Sequence, residues 1–215
     1  MNADHDDETH DGLVPSAPTM TPDAALARLA AGNQRFVSGN LRHPRRDSSR
    51  REALSEGQAP YAVVVGCADS RVPPEVVYDE GLGVLFTVRV AGNTTQDPLV
   101  IGSVEFAIAN LGSVVVVVLG HEECGAVKAA IDVVDNGTEL PGDLPAVVAP
   151  ILPVVQSLTG TPHDELLGAA IKANVRQAVT QLSANDLIAD AIAKGSVKVV
   201  GREYLLKSGE VVPVA

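Results

Sequence analysis

Two short stretches hold the side chains best suited to do chemistry. One is Gly66-Cys67-Ala68-Asp69-Ser70-Arg71; the other is Gly120-His121-Glu122-Glu123-Cys124-Gly125. Cys67 and Cys124 are the only two cysteines of the chain. Each stretch follows an apolar run, at 61–65 and 113–119, of the kind that makes a buried strand. Residues at the carboxyl ends of parallel strands face the crevice where α/β proteins bind ligands. Two thiolates and an imidazole are the donor types that select zinc. Three protein donors leave a fourth position open, which marks a catalytic zinc; a structural zinc is closed by a fourth ligand.

His121 and Cys124 are three apart at a strand-to-helix junction, a spacing that can aim both at one point. At the amino terminus of that helix, the macrodipole and free amides favour the Cys124 thiolate. Cys67 must then come from the neighbouring strand end, which the fold has to supply. Zinc with two thiolates and a neutral imidazole carries no net charge, so it acidifies water less than a three-histidine site would. Arg71 is the cation at hand to help. Asp69 has two options: it can bind zinc as a fourth ligand and close the site, or pair with Arg71 and leave the position open. Taken singly, Cys67 could be a small core residue. A redox dithiol is disfavoured, since the chain has no Cys-x-x-Cys.

The elements that must position these groups are legible as patterns. From Tyr61 onward the chain alternates strand and helix, which implies a mostly parallel sheet flanked by helices, an α/β fold with right-handed crossovers. Strands are expected at 61–65, 84–90, 114–119 and 196–206, with a short antiparallel edge strand at 210–214. Helices are expected at 98–110, 125–134, 146–158, 163–183 and 185–193. Thr21-Pro22-Asp23 is a helix start, opening an amphipathic N-terminal helical arm at 21–39. A basic segment follows, with Arg42, His43, Arg45, Arg46, Arg50 and Arg51, which reads as a solvated or subunit-facing surface. Residues 1–20 are acidic and without an apolar face, a disordered tail; residues 21–215 form a single domain.

Composition narrows the function. The formal net charge of −11 disfavours nucleic acid and anionic membranes as partners, and 3% aromatic content with no tryptophan disfavours base stacking. No apolar run approaches the length of a membrane span, and the amino terminus lacks the order of a secretory signal, so a cytoplasmic location is expected.

Cys67-Ala-Asp69-Ser-Arg71 followed by His121-x-x-Cys124-Gly125 resembles the paired signature of the β-class carbonic anhydrases. The likeness runs over roughly residues 22–214. It implies Zn2+ bound by Cys67, His121 and Cys124, with Asp69 and Arg71 as a catalytic dyad controlling access to the metal. It implies reversible hydration of carbon dioxide to bicarbonate by zinc-bound hydroxide, a carbonate dehydratase activity. Gln58 matches the family's substrate-binding glutamine, which reaches across a dimer interface. Phe86 matches the apolar wall beside carbon dioxide, and Gly125 the glycine near the zinc-bound ligand. Self-association to a dimer or tetramer follows from the same likeness, with the 22–38 helix as the exchanged arm. Some members carry an allosteric bicarbonate site; Gly66 and Tyr204 match it, but Val64 stands where its tryptophan would be. Relatives that hydrolyse carbon disulfide or carbonyl sulfide, and a non-catalytic zinc or bicarbonate sensor, are the alternatives.

Overall fold

A computed structural model describes residues 20–214; the acidic tail expected at 1–20 falls, but for Met20, outside the described residues. Five strands form one sheet: β1 (Ala62–Gly66), β2 (Leu85–Arg89), β3 (Val115–His121), β4 (Lys198–Tyr204) and β5 (Val211–Pro213). Their spatial order is β2-β1-β3-β4-β5. β1 to β4 are parallel, and β5 runs antiparallel to β4. Every residue of β1 and β3 is buried, which is why both are unbroken runs of valine and its neighbours rather than alternating ones.

The register sets the site. Gly66 ends β1 level with Arg89 of β2 and Leu119 of β3. β3 continues two residues past the expected end at Leu119, because β4 offers Glu203 and Tyr204 to Gly120 and His121. His121 is thus carried on a paired strand, not on a loop.

Nine helices among the described residues complete the chain: α1 (Pro22–Ser38), α2 (Ser48–Ala53), α3 (Pro74–Val77), α4 (Pro98–Leu111), α5 (Gly125–Asn136), α6 (Leu144–Val148), α7 (Leu152–Ser157), α8 (His163–Ser183) and α9 (Asp186–Ala193). The single helix expected at 146–158 is two, α6 and α7. Pro150 and Pro153 lack the amide hydrogens that a continuous helix would need there. The short helix α2 was not expected in the basic segment; Asp47 caps it by accepting from the Arg50 amide at 2.8 Å.

On one face, α4, α8 and α9 cover Val63, Val65, Val116 and Val118. Val175 of α8 sits where β-carbons at Gly120 and Gly201 would be: added β-carbons would come within 2.5 and 2.8 Å of its methyl groups. On the other face, α1 and α3 cover Ala62, Val64, Val115, Val117 and Leu119.

α1 starts at Pro22 under the Thr21 cap, as the sequence implies, and it lies against its own chain. Arg28 grips Glu80 with two hydrogen bonds of 2.6 and 2.8 Å, and Arg35 reaches Asp79 at 2.6 Å. Asn33 donates to the Val77 and Gly209 carbonyls and accepts from the Val211 amide, joining the helix to the far edge of the sheet. The basic segment folds over the same acids. The Arg42 and His43 amides donate to Asp79, while Arg46 and Arg50 donate to the carbonyls of Glu80 and Leu82. It is more than a solvated face. None of the described helices is long and apolar enough to cross a membrane.

Candidate metal centre

The topology brings Cys67, His121 and Cys124 together at the carboxyl ends of β1 and β3. One donor atom from each lies within 4.8 Å of the other two, and all three residues are buried. Cys67 is the first residue beyond β1, His121 the last of β3, and Cys124 the N-cap of α5. Between the last two, Glu123 adopts a left-handed backbone with φ of 57°. That conformation is uncommon for a residue with a side chain. It turns the chain tightly enough to set Cys124 beside His121.

The imidazole is aimed. Its Nδ1 lies 2.7 Å from the Glu122 carbonyl, which holds the proton on that nitrogen and turns the Nε2 lone pair towards the thiols. Nε2 is buried without a hydrogen-bond partner. An orphaned polar atom in a dry site calls for a ligand. The thiols are coupled. The neighbouring Cys124 thiol draws Cys67 well below the usual thiol range against the resistance of burial, aided by His121 and by the Gly92 amide, 3.4 Å from its sulfur. The Cys67 sulfur and burial in turn push Cys124 up. Burial resists a charge on His121, but the Cys67 thiolate outweighs it and raises the imidazole. One proton leaves easily; the second is opposed by the first thiolate, and a nearby positive charge is favoured. A dication among the three donors answers all of this, so the residues fit the zinc that the sequence implies.

Asp69 and Arg71 stand at the mouth. Arg71 holds Asp69 through Nε to Oδ1 at 2.9 Å, Nη2 to Oδ2 at 2.7 Å and its own amide to Oδ1 at 2.9 Å. The guanidinium keeps the carboxyl far below the ordinary carboxylate range. Asp69 Oδ2 still lies 3.9 Å from His121 Nε2. Of the two options open in the sequence, the structure has Asp69 in the grip of Arg71.

Gly125, the first residue of α5, adjoins Cys124, and a β-carbon there would meet nothing within 4 Å. Gln58 and Phe86 are not brought to this cluster. Gln58 precedes the start of β1, so the whole strand, about 16 Å long, separates it from Cys67. Phe86 pairs with Val63, near the same lower end, and packs against Phe106 with ring centroids 6.4 Å apart. Val64 is fully buried and Tyr204 nearly so, both in the apolar layer under α1 and α3.

Arg89 is the site residue that the sequence reading missed. It ends β2 and donates through Nε to the Cys67 carbonyl at 2.9 Å and through Nη2 to the Asp69 carbonyl at 2.6 Å. One guanidinium thereby fixes the loop that carries both a thiol and the acid. The available signal was a lone arginine closing an apolar strand, Val88-Arg89-Val90, beside the strand that ends in Cys67.

Comparison with known proteins agrees with this geometry. Residues 62–211 match the family model described as carbonic anhydrase. Carbonic anhydrase 2 of Mycobacterium tuberculosis is 41% identical over 198 residues, 91% of this chain and 94% of the relative. A carbonic anhydrase of Mycolicibacterium smegmatis is 39% identical over 198 residues, 90% of this chain and 94% of the relative. Among solved structures, a tetrameric β-carbonic anhydrase of Sordaria macrospora superposes with a TM-score of 0.70 at 24% identity, covering 90% of this chain and 92% of that one. Its likeness speaks to fold, and the sequence relatives speak to descent. Together with the gathered Cys-His-Cys donors, they establish that this chain belongs to the carbonic anhydrase family, in its β class.

Proposed function

We propose that the protein catalyses the reversible hydration of carbon dioxide to bicarbonate and a proton, with zinc held by Cys67, His121 and Cys124. The observation that carries this reading is the buried, unpartnered Nε2 of His121 beside two coupled thiols, with a fixed carboxylate 3.9 Å away. Zinc bound there supplies a Lewis acid that lowers the pKa of water towards neutrality.

The chain's own residues do the rest. Arg71 holds Asp69 ionised and turned from the donors, so that the carboxylate would not compete with water for a metal held by Cys67, His121 and Cys124. Asp69, kept ionised, would accept a hydrogen bond from water at the site through Oδ2 and so orient it, while the water's proton passes to buffer. Arg89 keeps the Cys67–Asp69 loop from relaxing as charge develops. Glu122 fixes the His121 tautomer through its backbone carbonyl, and its side chain accepts from the Leu206 amide at 2.8 Å, so the turn cannot rotate freely. Gly125 leaves room beside the cluster for a small triatomic substrate.

Gln58 and Phe86 belong to this mechanism only if they act in the site of a partner subunit, since their own strand carries them away from Cys67. The edge strand β2 and helix α4 support such an assembly: Leu99 is 80% exposed and Phe106 49%. Exposed apolar side chains on a helix beside an edge strand mark an interaction surface. The dimer or tetramer is therefore part of the proposal, as the source of the substrate wall.

Stopped-flow hydration of carbon dioxide by the zinc-replete protein tests the reading. Rapid turnover is expected; a zinc-loaded sample that hydrates no faster than buffer at any pH would sink it.

A further inference from the structure

The α1 face of the sheet is not fully packed. Between α1 and strands β3 to β5 lies a cavity of about 330 Å³. Leu26, Leu29, Val117 and Val211 give it apolar walls. Polar side chains line it too, among them Tyr78, Arg202 and the exposed Gln34.

Tyr78 is 2% exposed and lines the cavity, and its hydroxyl makes no hydrogen bond to another described residue. A phenol on a cavity wall can donate to whatever fills the space. Burial pushes its ionisation far up, so it stays a donor. Arg202 lies between Val200 and Tyr204, on the strand face that the alternation reserves for apolar residues. Its guanidinium donates to the Gly201 carbonyl at 3.0 Å and meets no carboxylate among the described residues. Gln34 of α1 faces the same space. Asn33 beside it is already committed to Val77, Gly209 and Val211, so it belongs to the wall.

We propose that this cavity binds a small organic monocarboxylate, its carboxylate taken by Arg202 and the Tyr78 hydroxyl and its apolar body laid against Leu29 and Val117. Charge decides the class. A guanidinium without a carboxylate partner in a half-buried site favours an anion. Glu210, exposed at the rim, sets a negative charge at the entrance and disfavours a dianion. The apolar walls disfavour inorganic ions, which would leave them wet. This site is distinct from the metal centre: Arg202 is level with Leu119, whereas His121 is level with Tyr204. On their shared strand, Leu119 lies between Val117 of the cavity wall and His121 of the cluster.

Benzoate is the probe, titrated calorimetrically into the full-length, zinc-loaded protein with phosphate and thiocyanate as controls. Saturable binding with a Kd in about the 0.1–1 mM range is expected for a ligand of this size. Arg202→Gln should weaken it by roughly tenfold or more, and Ala30→Leu, at an exposed lining position of α1, should block the mouth. Tyr78→Phe, which keeps the ring, serves if Arg202→Gln fails to fold. Thiocyanate, a ligand for metal, should leave benzoate binding unchanged. Loss of the benzoate signal in thiocyanate would put the ligand on the metal and overturn the proposal. So would phosphate binding as tightly as benzoate, affinity unchanged in the variants, or no binding because a second copy of the chain fills the cavity.

Discussion

The molecule has two buried polar clusters at opposite ends of β1, and they are built on opposite terms. Below the sheet, Asp79 and Glu80 are almost wholly buried, and their carboxylates take hydrogen bonds from Arg35, Arg28, Tyr61 and the Arg42 and His43 amides. Above it, His121 Nε2 has no partner and two thiols contend over one proton. Satisfied charge in the first cluster fastens α1 and the basic segment to the sheet. Unsatisfied donors in the second make a place for something else. Burial alone does not tell the two apart; the count of hydrogen-bond partners does.

Breaking each cluster should separate them experimentally. The largest effect is expected from Cys67→Ser or His121→Ala: zinc content by elemental analysis and hydration activity should fall together, the latter to the uncatalysed rate. Full activity in a zinc-free variant would remove the metal from the mechanism. Next comes Asp69→Asn, which should retain zinc while lowering kcat on the order of 10²–10⁴-fold, the range of a positioned acid–base group. Arg89→Gln should cost about 10–100-fold in activity or zinc affinity, as loss of a group that orients metal ligands does, and Arg89→Lys should restore part of it.

Asp79→Asn sharpens the contrast from the other side. It should lower stability by about 3–5 kcal/mol, because Arg35 would be left facing a neutral group in a buried site, while kcat per folded molecule stays unchanged. Burial works to raise the Asp79 carboxyl, but Arg35 and the two amides outweigh it and hold it below its ordinary value. Its contribution is therefore complete above the unfolded pKa of about 3.9 and is lost as pH falls through the lower folded value. Chemical denaturation of wild type and Asp79→Asn between pH 5 and 2 (about the range where carboxylates titrate) should converge at the acid end. Parallel curves would assign the stability to packing of α1.

Most of the candidate metal centre was legible because its residues sit next to the apolar runs that carry them. Cys67 follows β1, and His121 and Cys124 bracket the turn from β3 to α5, so strand order alone brings them near. The strand and crossover pattern was legible for the same reason, with every β1 and β3 residue buried. What escaped depends on register or on contacts distant in sequence. Arg89 clamps the Cys67–Asp69 loop only because Gly66 pairs with Arg89. The Arg28–Glu80 pair spans 52 residues, and nothing near either marks the other. The break between α6 and α7 was written in Pro150 and Pro153, and the apolar periodicity of the segment masked it.

The valine that fits against two glycines has a consequence for how this chain can change over generations. Val175 occupies the space at Gly120 and Gly201 at once, and Gly120 is the residue before His121. A β-carbon at either glycine would lift α8 from the sheet or tilt the end of β3, and the imidazole with it. Positions 120, 175 and 201 are thus tied to one another by packing. A larger residue at 120 or 201 becomes tolerable only after 175 has shrunk, so substitutions must arrive in a fixed order along any neutral path.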